Sequence, residues 1–220
     1  TGRTLTYAQL AGGIRAFAGG LAAKGFAKGD VLALMAPNIP EYAVVFHGTA
    51  YAGGIVTTIN PTYTAGEVKK QLQDSGARIL VTIPMFLDTA REAEGVPSVT
   101  ALLGAPLAAQ VPVDMSDVVV LPYSSGTTGT SKGVMLSHRN LVANVAQVTA
   151  AAELSEDEKF IAVLPFFHIY GMTVLMNCGL HIGATIITMP RFDLEQFLAL
   201  HQAHGITPKG VFKQVRDLID

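Results

Sequence analysis

The sequence predicts an α/β fold: a doubly wound, largely parallel sheet with flanking helices. Three observations predict it. Short apolar runs alternate with capped helical segments along the chain, the order produced when parallel strands are joined by right-handed crossovers. Runs such as Val31-Leu32-Ala33-Leu34, Ile79-Leu80-Val81 and Ala184-Thr185-Ile186-Ile187 are nearly continuous in apolar character, which marks strands covered on both faces. Hydrophobic residues make up 50% of the 220 and charged residues 15%, with a mean hydropathy of +0.39, and buried strands account for that excess.

In chain order, Thr6-Tyr7-Ala8-Gln9 has the form of a capping box, and Leu10, Ile14, Phe17 and Leu21 recur at helical spacing until Gly25. Strand 31–35 follows, and then a second box, Asn38-Ile39-Pro40-Glu41, opens a helix through Val44, Val45 and His47. After strand 55–59, Thr64-Ala65-Gly66-Glu67 caps a third helix carrying Val68 and Leu72, closed near Gly76, and strand 78–82 comes next. Between residues 89 and 116, Pro97, Pro106 and Pro112 among small residues predict a loose surface stretch with one short strand near 99–103. Strand 117–121 restores regular structure, and Ser137 is placed to cap a helix containing Leu141, Val142, Val145 and Val148. Strand 159–164, helix 169–180, strand 184–189 and helix 194–203, capped by Asp193 and closed by Gly205, continue the alternation. Residues 1–207 thus read as one partial domain. In 208–220, Pro208-Lys209-Gly210 breaks the pattern, and Val211, Phe212, Val215, Leu218 and Ile219 predict a short amphipathic helix.

Composition excludes several function classes. A net charge of −2 offers no general attraction to nucleic acid or anionic lipid. The longest apolar candidate for a membrane span, Met172 to Met189, is interrupted by Asn177 and His181. A single cysteine, Cys178, excludes an internal disulfide and a cysteine metal cluster, suits a small core position and fits the reducing cytoplasm. Thr1-Gly2-Arg3-Thr4 has no apolar segment of signal-peptide kind. His47, among Val44, Val45 and Phe46, reads as a packed histidine; His181 reads the same way. His201 and His204 stand three apart with no carboxylate or cysteine placed to complete a metal site, so no metal ligand is assigned.

Two stretches carry chemistry. From Ser124 to Ser131 every residue is Gly, Ser or Thr, between a strand and Lys132, and a lysine-led helix start is expected behind it. Uncovered backbone N–H groups, hydroxyls and a cation together suit an anion, and the expected ligand is a nucleotide phosphate. The loop lacks Walker spacing: five residues after Gly126 stands Ser131, and after Lys132 stands Gly133, so kinase-type phosphoryl transfer loses its support. The second stretch, Leu164-Pro165-Phe166-Phe167-His168-Ile169-Tyr170-Gly171, directly follows a strand, where ligands of open α/β sheets bind. Its aromatic residues and polar tips can wall an apolar slot, although simple strand-to-helix packing would use the same residues.

Tyr123 to Gly133, its continuation Val134-Met135-Leu136-Ser137-His138-Arg139-Asn140-Leu141, and Phe167-His168-Ile169-Tyr170-Gly171 resemble the acyl-adenylate-forming superfamily, most of all the 4-coumarate:CoA ligase group. Met35-Ala36-Pro37-Asn38-Ile39-Pro40-Glu41-Tyr42 and Asn60-Pro61-Thr62-Tyr63-Thr64 are similar to it as well, so the likeness spans about residues 1–207. The resemblance implies a two-step ligase that uses MgATP to make acyl-AMP from a carboxylic acid and then transfers the acyl group to CoA. It implies that Ser124, Ser125, Gly126, Thr127, Thr128 and Lys132 contact ATP, with Lys132 and His168 as the catalytic candidates. It also implies that His168 and Tyr170 face the acyl substrate and that Arg191 lies near CoA, although a single surface arginine is ordinarily solvated. Ser131 stands where many members have proline, which should loosen the loop. The family's adenine-binding strand, magnesium-binding acidic residue, ribose-binding aspartate and mobile C-terminal domain with its catalytic lysine have no counterpart in these 220 residues. The chain alone is therefore expected to bind ATP weakly and not to complete thioester formation. The competing expectation is a non-catalytic nucleotide-binding or interaction module.

Overall fold

The computed structural model describes residues 3–93, 103–125 and 131–207, with Ser125 and Ser131 described by their backbone alone. The chain forms two units, one from the residues up to Ala36 together with Pro40–Arg139, the other from Pro37–Ile39 together with the chain from Asn140 onward. Of the predicted features, the tail 208–220 and all but the last residue of the strand near 99–103 lie outside the described residues.

In the first unit, α1 (Tyr7–Ala23), β1 (Val31–Met35), α2 (Pro40–Tyr51), β2 (Ile55–Thr58), α3 (Ala65–Ser75) and β3 (Ala77–Thr82) alternate as predicted. The sheet order is β3-β1-β2-β4-β5, where β4 is Val118–Ser125 and β5 is Ser131–Gly133, and the two-residue β6 (Leu136–Ser137) also pairs with β4. Strands β3, β1, β2 and β4 run parallel, whereas β5 and β6 return antiparallel along the outer edge of β4. All five residues of β1, with a parallel neighbour on each side, are buried, as their unbroken apolar character requires. Ala33 and Met35 share a core cluster with Ile59, Val68, Leu72 and Ala93.

Local signals set the helix ends. Thr64 Oγ1 accepts from Glu67 N at 3.4 Å while Glu67 Oε2 accepts from Thr64 N at 2.8 Å, the reciprocal capping box expected for α3. At its other end Gly76 takes a φ of 65°, a left-handed conformation that glycine adopts without a Cβ clash. The expected loose stretch begins later than its composition suggests. A 3₁₀ turn, Pro84–Phe86, leads into α4 (Leu87–Glu92), because Phe86, Ala90 and Ala93 pack with the core cluster and burial outweighs weak local propensity.

In the second unit, β7 (Lys159–Ala162) pairs in parallel with β8 (Thr185–Thr188), so β7 ends two residues before its expected limit. Helix α5 (His138–Ala151) precedes β7, directly behind Ser137, and α6 (Cys178–Ile182) and α7 (Leu194–His204) flank β8 in sequence. Ile161, Met189 and Phe197 form a buried cluster beneath Val163, Leu164, Leu200 and Ile206. Asp193 accepts from Gln196 N at 2.8 Å to cap α7, and Gly205, at φ 61°, closes it. Cys178 is fully buried, and burial pushes its thiol up to about 11.

Thr64→Ala should lower unfolding stability by about 1 kcal/mol, read as a reduced urea midpoint at unchanged slope. The Glu67 carboxyl is held below its ordinary value by hydrogen bonds from the Thr64 backbone and side chain. A carboxyl lowered in the native state stabilises the fold above its unfolded value and loses that contribution as pH falls. The difference between wild type and Thr64→Ala should therefore shrink as the medium is acidified below pH ~4.

Candidate functional site

The parallel ladder between β2 and β4 pairs Val56 with Val120, Thr57 with Leu121 and Thr58 with Pro122, and there β2 ends. Strand β4 continues. Tyr123, Ser124 and Ser125 pair antiparallel with Gly133, Lys132 and Ser131, so the two ends of the Gly/Ser/Thr stretch lie on paired strands. This corrects two sequence expectations: the strand does not stop at Leu121, and Lys132 lies on β5 rather than at a helix start. The helix begins only at His138. The expected ATP contacts Gly126, Thr127 and Thr128 lie outside the described residues.

Residues directly opposite in an antiparallel pair project from the same face, with Cβ atoms about 5 Å apart. Ser124 and Lys132 therefore share one face of the hairpin, and both are exposed. Tyr123 and Gly133 share the other. There the Tyr123 hydroxyl donates to Asp74 Oδ2 on α3, and burial, followed by the neighbouring Asp74 carboxylate, pushes the phenol's pKa upward. A Cβ on Gly133 would stand 3.0 Å from Tyr123 Cζ, so the ring lies against the β5 backbone.

In the second unit the chain leaves β7 at Ala162 and is held by Asn38, which is itself 4% exposed. Asn38 Nδ2 donates to the carbonyls of Ala162 and Leu164, each at 2.8 Å, and Asn38 Oδ1 accepts from Phe166 N at 2.8 Å. This overturns the reading of Asn38 as a helix cap, since its amide is committed to the turn that precedes His168. Phe166 is buried below the turn and His168 is exposed. His168 N donates to Pro165 O at 3.1 Å, and Tyr170 N donates to His168 Nδ1 at 3.3 Å. An accepting Nδ1 puts the proton of the neutral ring on Nε2. Burial raises the Tyr170 phenol.

Behind Tyr170 the helix widens into a π segment, Gly171–Asn177, with all seven residues buried. Such segments are rare and occur often beside functional sites. Nothing in the 3–4 periodicity of Met172, Leu175 and Met176 announced it. Thr173 Oγ1 and Asn177 Oδ1, both buried, have no hydrogen-bond partner among the described residues. Gly171 is fixed by close approach: a Cβ there would fall 2.1 Å from Pro165 O.

Arg191 is exposed past β8, on a cleft of about 800 Å³ that it shares with Phe192, Asp193, Glu195, Gln196 and Ala199. In the first unit a cleft of about 420 Å³, lined among others by Arg15, His47, Tyr51 and His138, contains none of the site residues expected from the sequence. Among the described residues no group of three or more His, Cys, Asp or Glu side chains is placed to hold a metal ion, and no helix is long and apolar enough to cross a membrane. The residues that sequence reasoning missed are Asn38 and Asp74. Asp74 lies one turn after Gln71 on α3, and Gln71, a polar residue on the buried stripe of Val68 and Leu72, was the available signal.

These features define a class: a mostly parallel α/β protein with a hydroxyl- and lysine-bearing hairpin beyond the end of a parallel strand. Comparison with known proteins gives the family. The AMP-binding enzyme family matches residues 1–208, and the chain belongs to that family. It is 40% identical over 227 residues to 4-coumarate–CoA ligase 3 of Oryza sativa subsp. japonica, a match covering 94% of this chain and 41% of that protein. Among solved structures it is similar to a long-chain-fatty-acid-CoA ligase from Archaeoglobus fulgidus, with a TM-score of 0.86 at 28% identity, covering 92% of this chain and 44% of the other. It is also similar to O-succinylbenzoate coenzyme A synthetase from Bacillus subtilis in complex with AMP, with a TM-score of 0.83 at 26% identity, covering 94% and 55%. The chain spans about two fifths, 41% to 42%, of the length of the curated relatives it matches.

Asn38→Ala should destabilise the second unit by about 2–4 kcal/mol, because it removes the side-chain partner of Phe166 N and of the Leu164 and Ala162 carbonyls, of which Ala162 O keeps another donor, Met189 N at 3.3 Å. Asn38→Asp tests the cause: it keeps the acceptor for Phe166 N but sets a buried carboxylate oxygen against the Ala162 and Leu164 carbonyls, so at neutral pH it should unfold no higher than the alanine variant.

Proposed function

We propose that this chain supplies the phosphate-binding and acyl-facing parts of an ATP-dependent acid–thiol ligase. The observation that carries the reading is the pairing of Ser124 with Lys132 on the exposed face of a Gly/Ser/Thr hairpin, in a member of the AMP-binding enzyme family. In the first step a carboxylate oxygen bonds to the α-phosphorus of ATP, the bond to the bridging oxygen breaks, and pyrophosphate leaves with the electron pair. An anion must approach a polyanion, and donors with a positive charge around the β- and γ-phosphates lower that repulsion and stabilise the leaving group. Ser124, Ser125, Gly126, Thr127, Thr128 and Lys132 take that role. In the second step the CoA sulfur bonds to the acyl carbon and AMP departs.

His168 and Tyr170 face the acyl group in this reading. With Nδ1 held by Tyr170 N, the imidazole turns its Nε2 to the reacting carboxyl. Arg191 meets CoA, sharing its cleft with Asp193 and Glu195. Magnesium enters as part of MgATP, and no step is assigned to it. The acids are aromatic or medium-chain, a choice supported by the likeness to the 4-coumarate–CoA ligases. The reaction is set in the reducing cytoplasm, where Cys178 stays a buried thiol. Since the chain spans 41% to 42% of its curated relatives, thioester formation is assigned to a longer protein.

Two measurements test this. Lys132→Ala should weaken ATP binding about tenfold or more, since a charge-assisted hydrogen bond is lost, with the melting temperature nearly unchanged at an exposed residue. Equal affinity in the variant contradicts the phosphate site. Acid-dependent ATP–pyrophosphate exchange, assayed with hydroxycinnamates and medium-chain acids, should be absent from the 220-residue chain. Robust exchange would overturn the assignment of full activity to a longer protein.

A further inference from the structure

We propose that Asp74 is a positioning residue for the phosphate-binding hairpin: through the Tyr123 hydroxyl it fixes the hairpin against α3 and so sets where Ser124 and Lys132 stand. The inference rests on reading that hairpin as the phosphate site.

Ladder support runs out where the hairpin begins. Strand β2 pairs with β4 only as far as Thr58 opposite Pro122, so Tyr123, Ser124 and Ser125 extend past their parallel neighbour. A two-stranded ribbon standing alone is marginal in water. Strand alternation turns Tyr123 to the face opposite Ser124, and there its hydroxyl donates to Asp74 while its ring lies on the backbone of Gly133. A single side chain therefore touches both strands of the overhang and a helix outside it.

The acceptor is itself anchored. One turn before Asp74, the buried Gln71 donates from Nε2 to Thr57 Oγ1 at 2.9 Å and to Thr58 O at 3.0 Å. Thr57 Oγ1 in turn donates to Leu121 O at 3.0 Å. Through this buried chain α3 is tied to the last paired residues of β2 and β4, and Asp74 carries the tie one helical turn further, out to the overhang. Fixing the hairpin before nucleotide arrives lowers the ordering cost of binding, which is how a residue remote from the ligand raises affinity.

The test uses Tyr123→Phe, Asp74→Ala, Asp74→Asn and the Tyr123→Phe/Asp74→Ala double variant, with Lys132→Ala as the reference for phosphate contact. Amide hydrogen exchange at Ser131, Lys132 and Gly133 should speed up about tenfold in Tyr123→Phe and in Asp74→Ala. The double variant should be no worse than either single one, and Asp74→Asn, which keeps a carbonyl acceptor, should stay near wild type. ATP affinity should fall in the same order, while exchange at the β1 amides stays unchanged. Additive effects in the double variant, unchanged hairpin exchange, or equal acceleration in β1 would each overturn the positioning role. Failure of the phosphate reading looks different: Lys132→Ala would leave ATP affinity intact, while hairpin exchange would still decide whether Asp74 acts through Tyr123.

Discussion

Side chains of an extended strand point alternately to its two faces, and at the end of β4 that constraint separates Tyr123 from Ser124. One face of the hairpin is thereby committed to the protein and the other to solvent. Tyr123 and Gly133 lie on the committed face, against α3. Ser124 and Lys132 lie on the open one, with their Cβ atoms about one cross-strand spacing apart. A slip of one residue in the β4–β5 register would set Lys132 opposite Tyr123 or Ser125 and bring the lysine to the tyrosine's face, towards the helix. Register in this hairpin is therefore the condition on which any phosphate chemistry in the first unit depends.

The second unit meets a similar difficulty with different means. After Ala162 the chain must leave a parallel ladder and turn at once into a helix, and a buried turn exposes backbone groups with no ladder partner. Asn38 pairs with Leu164 O and Phe166 N of the turn through one amide and adds a second donor to Ala162 O, which also accepts from Met189 N, and Gly171 lets the helix start pass within contact of the Pro165 carbonyl. His168 and Tyr170 are thus displayed on a turn whose backbone is already fixed, as the substrate-facing role proposed for them requires. Immediately behind them comes the π segment Gly171–Asn177, in which Thr173 and Asn177 turn polar atoms into a buried setting.

Much of the fold was legible because its signals are local. Capping boxes at Thr6 and Thr64, left-handed glycines at Gly76 and Gly205 and unbroken apolar runs each report on a few neighbouring residues, and they marked their elements to within a residue or two. What was not legible depends on distant partners. Whether Ser124 and Lys132 belong to a loop or to paired strands is decided across the hairpin, not by a Gly/Ser/Thr composition that reads as irregular. Asn38 looked like a cap because Asn-x-Pro is a common helix entry, and only the approach of residues 162–166 reveals its other employment. The wording of the two motifs pointed to the family before any geometry was known, yet it left Asp74 unmarked, since an acidic residue on an amphipathic helix is ordinarily a solvated one.

The most direct test of the account is a titration of the ¹⁵N-labelled chain followed by backbone amide shifts, with ATP, inorganic pyrophosphate and adenosine as separate ligands. ATP and pyrophosphate should both shift the amides of Ser124, Ser125, Ser131 and Lys132 saturably, adenosine should leave them in place, and the shifts should vanish in Lys132→Ala. Saturable shifts confined to other parts of the chain, with the hairpin silent to both phosphate ligands, would contradict the claim that this hairpin is the phosphate site.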